Sequence, residues 1–214
     1  MIQGDSKVWL GHLIDIEECL LERIAHVWPT CQQKISTSYS EDQISNTLVV
    51  LLRKDQLARK YGAIHLQLTL PEEEPRVDQI KGNIDIAVVL NNDPDLYVAF
   101  ECKRLNAPNG AYRSSLAGPY AEEGVIRYVV EQYADFLPMG AMLGYVYDGD
   151  TPHARTSIKK AIEDRAKMLN YDIQGGWSDL KAVYGYPRFS TTHRRSRGGN
   201  IEVRHSLLPV PRDT

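Results

Sequence analysis

Gly82-Asn83-Ile84-Asp85-Ile86-Ala87-Val88-Val89-Leu90 is followed by Asn91-Asn92-Asp93-Pro94-Asp95 and then by Leu96-Tyr97-Val98-Ala99-Phe100-Glu101-Cys102-Lys103. Two apolar runs around an Asn/Asp/Pro cluster spell two strands joined by a turn. Each run carries charge where a buried strand excludes it: Asp85 within the first, Glu101 and Lys103 at the end of the second. Side chains alternate faces along a strand. Glu101 and Lys103 therefore share a face, with Cα atoms about 6–7 Å apart, while Val98, Phe100 and Cys102 pack on the other. Pairing of the two strands brings Asp85 beside Glu101. Carboxylates that close repel unless a cation lies between them, and hard oxygen donors suit Mg²⁺ or Mn²⁺. Lys103 beside them would steer or deprotonate a water, or offset charge on a phosphorane-like transition state. The plain alternative is a surface ion pair worth under about 1 kcal/mol. Three charges converging on one face of otherwise apolar strands favour the cation site.

Asp85, followed on the next strand by Glu101-Cys102-Lys103, resembles the core of the PD-(D/E)XK nuclease superfamily, the restriction endonuclease-like fold. Asn83-Ile84 stands where the motif carries its Pro. The resemblance covers roughly residues 40–147 of the chain. It implies an α/β (α+β) mixed sheet: an antiparallel three-strand meander, a crossover helix and a parallel fourth strand, flanked by helices. It further implies Mg²⁺-dependent hydrolysis of phosphodiester bonds, with Mn²⁺ able to substitute, on nucleic acid (DNA first) in a restriction or defence setting. Asp85, Glu101 and Lys103 become the catalytic set. Asp85, Glu101 and the Cys102 carbonyl become metal ligands, with Glu41 of Ser40-Glu41-Asp42-Gln43 joining from an upstream helix and Asp42 as the second choice. Tyr120, Glu123-Gly124, Arg127-Tyr128 and Gly144-Tyr145-Val146 add a looser resemblance to restriction-type and defence-associated members. A nuclease of this type is expected to form a homodimer, with the first helix as the two-fold interface.

The 214 residues, 43% of them hydrophobic, suffice for one core with helical additions. The division expected is an N-terminal helical extension over 1–39, a core over 40–147, and a C-terminal helix and hairpin over 148–214. A net charge of -3 supplies no global field toward nucleic acid, so any polyanion contact must come from local basic patches. Cys19, Cys31 and Cys102 are too few and too scattered for a disulfide framework or a zinc site, which points to a reducing, cytoplasmic setting. Neither a secretory signal nor an apolar stretch near 20 residues is visible, so no membrane partner is expected.

Leu10, Leu13, Ile14, Leu20, Leu21 and Ile24 predict a helix from about Val8 to Trp28, ended by Pro29. Ser40 and Gln43 fit a capping box, opening a helix whose buried stripe is Ile44, Leu48, Leu51 and Leu52. The helix dipole alone also favours Glu41 and Asp42 in that first turn. Arg53, Lys54, Arg59 and Lys60 follow, either as a solvated face or as a backbone-phosphate contact. Ile64, Leu66, Leu68 and Leu70 alternate as a half-buried strand. Pro71-Glu72-Glu73-Glu74-Pro75 reads as a mobile loop, and the Pro- and Gly-rich stretch up to Pro119 as a long loop, either functional or disordered.

Val125, Ile126, Val129, Val130 and Tyr133 predict a helix over Tyr120 to Phe136, and Gly140 to Tyr147 an apolar strand that a right-handed crossover makes parallel. Arg104, Arg113 and Arg127 would reach phosphates. Arg127 has an equal alternative in i to i+4 pairing with Glu123 or Glu131. Thr151-Pro152 opens a helix. Phe189–Thr192 and Ile201–Leu208 read as hairpin arms around His193-Arg194-Arg195-Ser196-Arg197, either a phosphate clamp through Arg194, Arg195 and Arg197 or a solvated loop. Two other functions stay open: an inactive nucleic-acid- or protein-binding module on such a scaffold, and an RNA-directed nuclease. No aromatic stacking platform of the kind used by single-strand readers is evident.

Overall fold

The computed structural model describes residues 6–71, 80–109, 112–195, 197 and 199–211. Among these, seven strands form one mixed sheet in the order β1-β2-β3-β6-β9-β8-β7. In chain order they are β1 (Ala63–Pro71), β2 (Ile80–Val89), β3 (Tyr97–Leu105), β6 (Met139–Val146), β7 (Trp177–Val183), β8 (Tyr186–Arg194) and β9 (Asn200–Pro209). A small separate hairpin, β4 (Ala107–Asn109) with β5 (Tyr112–Ser114), occupies part of the stretch expected to be loop. The meander β1-β2-β3 is antiparallel, and β6 runs parallel to β3 as the crossover requires. Pro71-Glu72-Glu73-Glu74-Pro75 lies, but for Pro71, outside the described residues.

Two helices cover one face of the sheet. α1 (Ser6–Gln32) does not stop at Pro29 but runs through it. Its last turn is held from outside the helix: the Trp28 indole and the Gln32 amide both donate to the Pro209 carbonyl, at 3.0 and 2.7 Å. α2 (Glu41–Lys54) starts at the expected capping box, with Ser40 Oγ accepting from Gln43 N and Gln43 Oε1 accepting from Ser40 N. Trp28 stacks on Tyr145 of β6 at 5.7 Å, and both are fully buried.

The opposite face carries the crossover and α5 (Thr151–Asp164). The crossover is shorter and less regular than its periodicity predicts: α3 (Ala117–Pro119), a π-helical stretch Tyr120–Val125, and α4 (Ile126–Val129). Left-handed backbone at Glu131 (φ 62°) and Ala134 (φ 52°) ends it well before Phe136. Tyr133, read as a helical core residue, instead follows the helix. Gly140 lets the crossover lie down on β6, since a Cβ there would meet the Tyr128 ring at 2.2 Å.

The C-terminal hairpin is not a separate addition. β9 pairs parallel with β6, so β8 and β9 extend the same sheet, and β7, which the sequence reading left unassigned, closes its far edge. A buried hydrogen-bonded chain fixes this half. His193 Nδ1 faces the Leu169 carbonyl at 2.9 Å and must carry the proton. Its Nε2 then accepts from Thr191 Oγ1 at 2.8 Å, Thr191 accepts from His205 Nε2 at 2.9 Å, and His205 Nδ1 accepts from the Tyr120 hydroxyl at 2.9 Å. Every donor finds an acceptor only if both imidazoles are neutral. Burial pushes both in that direction, His193 down to about 4 and His205 well below its ordinary value.

Candidate active site

The ladder between β2 and β3 runs from Val89↔Tyr97 to Ile86↔Phe100 and is not continued beyond that pair. From Phe100 to Leu105, β3 is held by β6 on its other side. Past the fork, the β3 backbone groups facing β2 need other partners. Two carboxylates supply them. Asp85 Oδ2 accepts the Cys102 N–H at 2.7 Å, and Glu41 Oε2 accepts the Arg104 N–H at 2.9 Å. The sheet opens where the charged residues lie, and the acids close the exposed edge.

Asp85, Glu101, Lys103 and Glu41 come together at this fork. Glu101 is fully buried. Lys103 Nζ donates to Glu101 Oε1 at 2.7 Å, to the Cys102 carbonyl at 3.1 Å and to Glu41 Oε1 at 3.2 Å. Gly124 of the π-helical stretch leaves room for the Met142 side chain, since a Cβ there would stand 2.6 Å from Met142 Cε, while the Lys103 stem passes at ordinary contact distance. A cavity of about 390 Å³ opens beside the cluster, bordered by Glu41, Asp42, Lys103, Arg104, Leu116 and Glu123; of the four clustered residues, Glu41 and Lys103 line it. Leu116 stands there in left-handed backbone (φ 53°), a costly state for a branched side chain.

Of the two acids in the first turn of α2, Glu41 makes the contacts and Asp42 stays exposed. Arg127 pairs with neither Glu123 nor Glu131. Its guanidinium lies 3.3 Å from Glu101 Oε1 and donates to the Tyr133 hydroxyl, which in turn donates to the Asn83 carbonyl. Tyr133 is thus a site residue that sequence reasoning missed, its spacing having signalled only core. Arg104 is exposed at the cavity rim. Arg113 is tied to Asp148 and Asp150 instead.

The basic loop does not form the expected clamp. Arg195 is buried, and its guanidinium donates to the carbonyls of Tyr128, Ala134, Asp135 and Leu137. It holds the turn after α4 and is not available to a phosphate. Arg197 lies 3.5 Å from carboxylate oxygens of both Glu131 and Asp135, and Arg194 is exposed with no such contact among the described residues.

The electrostatics follow from burial. Desolvation pushes Glu101 up to about 8, with the Asp85 charge adding to it and Lys103 and Arg127 opposing. Asp85 and Glu41 are also raised, chiefly by burial. For Lys103, burial lowers the pKa but the Glu101 and Glu41 carboxylates raise it by more, so the ammonium stays charged. A permanently protonated lysine is a donor and a local positive charge, not a general base. Among the described residues, no group of three or more His, Cys, Asp or Glu side chains is placed to hold a metal ion. The acids surround the ammonium, and the hard-oxygen set consists of Asp85, Glu101 and the Cys102 carbonyl, with Glu41 reached through Lys103. These are oxygen donors of the type Mg²⁺ takes, and Lys103 Nζ already occupies Glu101 Oε1 and the Cys102 carbonyl.

Comparison with protein-family models, with curated proteins and with solved structures finds no match. No helix among the described residues is long and apolar enough to cross a membrane.

Proposed function

We propose that the chain is a metal-dependent nuclease of the restriction endonuclease-like type, hydrolysing phosphodiester bonds in DNA. The observation that carries this reading is the meeting of Asp85, Glu101, Lys103 and Glu41 at the fork between β2 and β3, with Glu41 and Lys103 lining an open cavity. Asp85, Glu101 and the Cys102 carbonyl would hold Mg²⁺ or Mn²⁺, with Glu41 beside them. The ion would polarise the scissile phosphate and ease formation of hydroxide from water. Lys103, held charged by Glu41 and by Glu101 once its proton is displaced, orients the attacking water and offsets charge building on the phosphoryl oxygens. Arg127 steadies Glu101 and shares its charge. A setting in restriction or defence and a homodimer belong to the same proposal.

One observation favours an inert binding module instead: the carboxylates already have a counter-ion in Lys103. Nicking of supercoiled plasmid separates the readings. Mg²⁺ or Mn²⁺ should support cleavage, EDTA should abolish it, and Lys103→Ala should lower the rate by a factor of about 10² or more while the circular dichroism spectrum is kept. Equal cutting by Lys103→Ala sinks the mechanism, and no cutting by wild type on duplex, single-stranded DNA or RNA leaves the inert reading.

A further inference from the structure

The far end of α2 carries a second charged feature. Arg53 in its last turn, Arg59 and Lys60 in the 3-10 turn Ala58–Lys60, and Asn91 and Asn92 of the β2–β3 turn border an open cavity of about 600 Å³. Among the described residues, no acid lines it. Arg59 and Lys60 are exposed, and Arg53 is anchored by its Nε to the Ile64 carbonyl at 2.9 Å. Asp55, the acid nearest in sequence, is committed elsewhere: it takes the Arg23 guanidinium on one oxygen and the N–H groups of Leu57 and Ala58 on the other. The floor is built by a close approach, since a Cβ at Gly62 would stand 2.1 Å from the Val89 carbonyl oxygen. The helix dipole accounts for cations in the last turn of α2, but not for Arg59 and Lys60, which lie beyond it.

We infer that this cavity is a second phosphate-binding site, engaging the backbone of the nucleic acid whose scissile phosphate meets Lys103; the inference rests on the nuclease reading above. The spacing is suitable. Arg53 follows Glu41 by twelve residues in α2, about 18 Å at about 1.5 Å per residue. On a duplex with about 3.4 Å between charges of one strand, that is about five base steps. α2 has no acid between Asp42 and Arg53, so a polyanion laid along it meets no repulsion on the way. Without base-edge contacts, such a site would position the backbone and carry no sequence preference.

Fluorescence anisotropy of a labelled 20-base-pair duplex in EDTA, read across a salt series, tests this without cleavage. The full chain is compared with the double variant Arg59→Glu/Lys60→Glu and with Lys54→Glu, a control on an exposed cation outside the cavity. The double variant should bind tenfold or more weakly. Its log K against log salt should be shallower by about 0.9 per cation lost, and Lys54→Glu should change less. Unchanged affinity and slope in the double variant, a loss no larger than that of Lys54→Glu, or tighter binding of polyglutamate than of duplex each overturns the site. The two proposals fail separately. A chain that binds duplex through these residues but never nicks plasmid keeps the phosphate site and loses the nuclease. A chain that nicks plasmid and binds duplex regardless of the double substitution does the reverse.

Discussion

Asp85 holds a backbone donor and a place in the charge cluster with one carboxylate. Replacing it by Asn keeps an oxygen for the Cys102 N–H at 2.7 Å, whereas Ala leaves that donor bare. Urea unfolding should therefore find Asp85→Ala less stable than Asp85→Asn by about 1–3 kcal/mol, while calorimetry finds Mn²⁺ affinity reduced in both. Equal stability of the two would mean that the carboxylate does not carry the strand edge. Glu101 gives a pH signature. Its folded pKa of about 8 lies above the ordinary value of 4.5, so the native state holds a proton the unfolded chain has released. The stability it contributes is full below about 4.5 and is lost as pH rises through about 8. A metal must displace that proton. Mn²⁺ binding should release up to one proton below pH 8 and none well above it, and apparent affinity should climb toward pH 8. Calorimetry in buffers of different ionisation enthalpy measures this, and Glu101→Gln should remove the release.

At the scale of elements, the Tyr120–His205–Thr191–His193 chain joins the start of the π-helical stretch to β8 and β9. Its proton order is fixed, so nitrogen NMR should find His193 as the Nδ1–H tautomer and His205 as the Nε2–H tautomer. Both folded pKa values are depressed, which means the unfolded chain takes up protons first. Stability from this chain is present above about 6.5 and is lost as pH falls toward about 4 for His193. A signal from either ring that titrates near its ordinary value in the folded protein would overturn the assignment. The sequence carried part of this chain, since Thr191 and His205 fall on the two arms of a legible hairpin and His193 at the start of its loop. It could not carry Tyr120, which lies 85 residues from His205 and reaches it only through the tertiary packing.

For the molecule as a whole, one sheet binds the expected core and the C-terminal segment together, and α1 is fastened across it by charge. Glu17, fully buried, accepts from Arg188 Nη2 at 2.8 Å and Arg204 Nε at 2.9 Å. Glu17→Ala should cost about 1–3 kcal/mol in urea unfolding, because two buried guanidiniums lose one carboxylate while Glu18 and Glu202 remain beside them; a loss under about 0.5 kcal/mol would show that water or these acids replace it. The meander, the crossover and the parallel strand were legible because alternation and turn residues are local signals. So was the acid-acid-lysine set, because charge on apolar strands is conspicuous. The π-helical stretch, β7 and the burial of Arg195 were not. A basic loop reads as solvated by composition, and only the carbonyls left open after α4 show where its guanidinium goes.

The fork between β2 and β3 bears on how descendants of such a chain would be read. Asp85 and Glu41 cap the Cys102 and Arg104 main-chain donors, so selection for an intact sheet would retain both acids in a lineage that had stopped cutting. Glu101 and Lys103 hold chiefly each other. Their joint loss, with Asp85 and Glu41 unchanged, would be the mark of lost turnover.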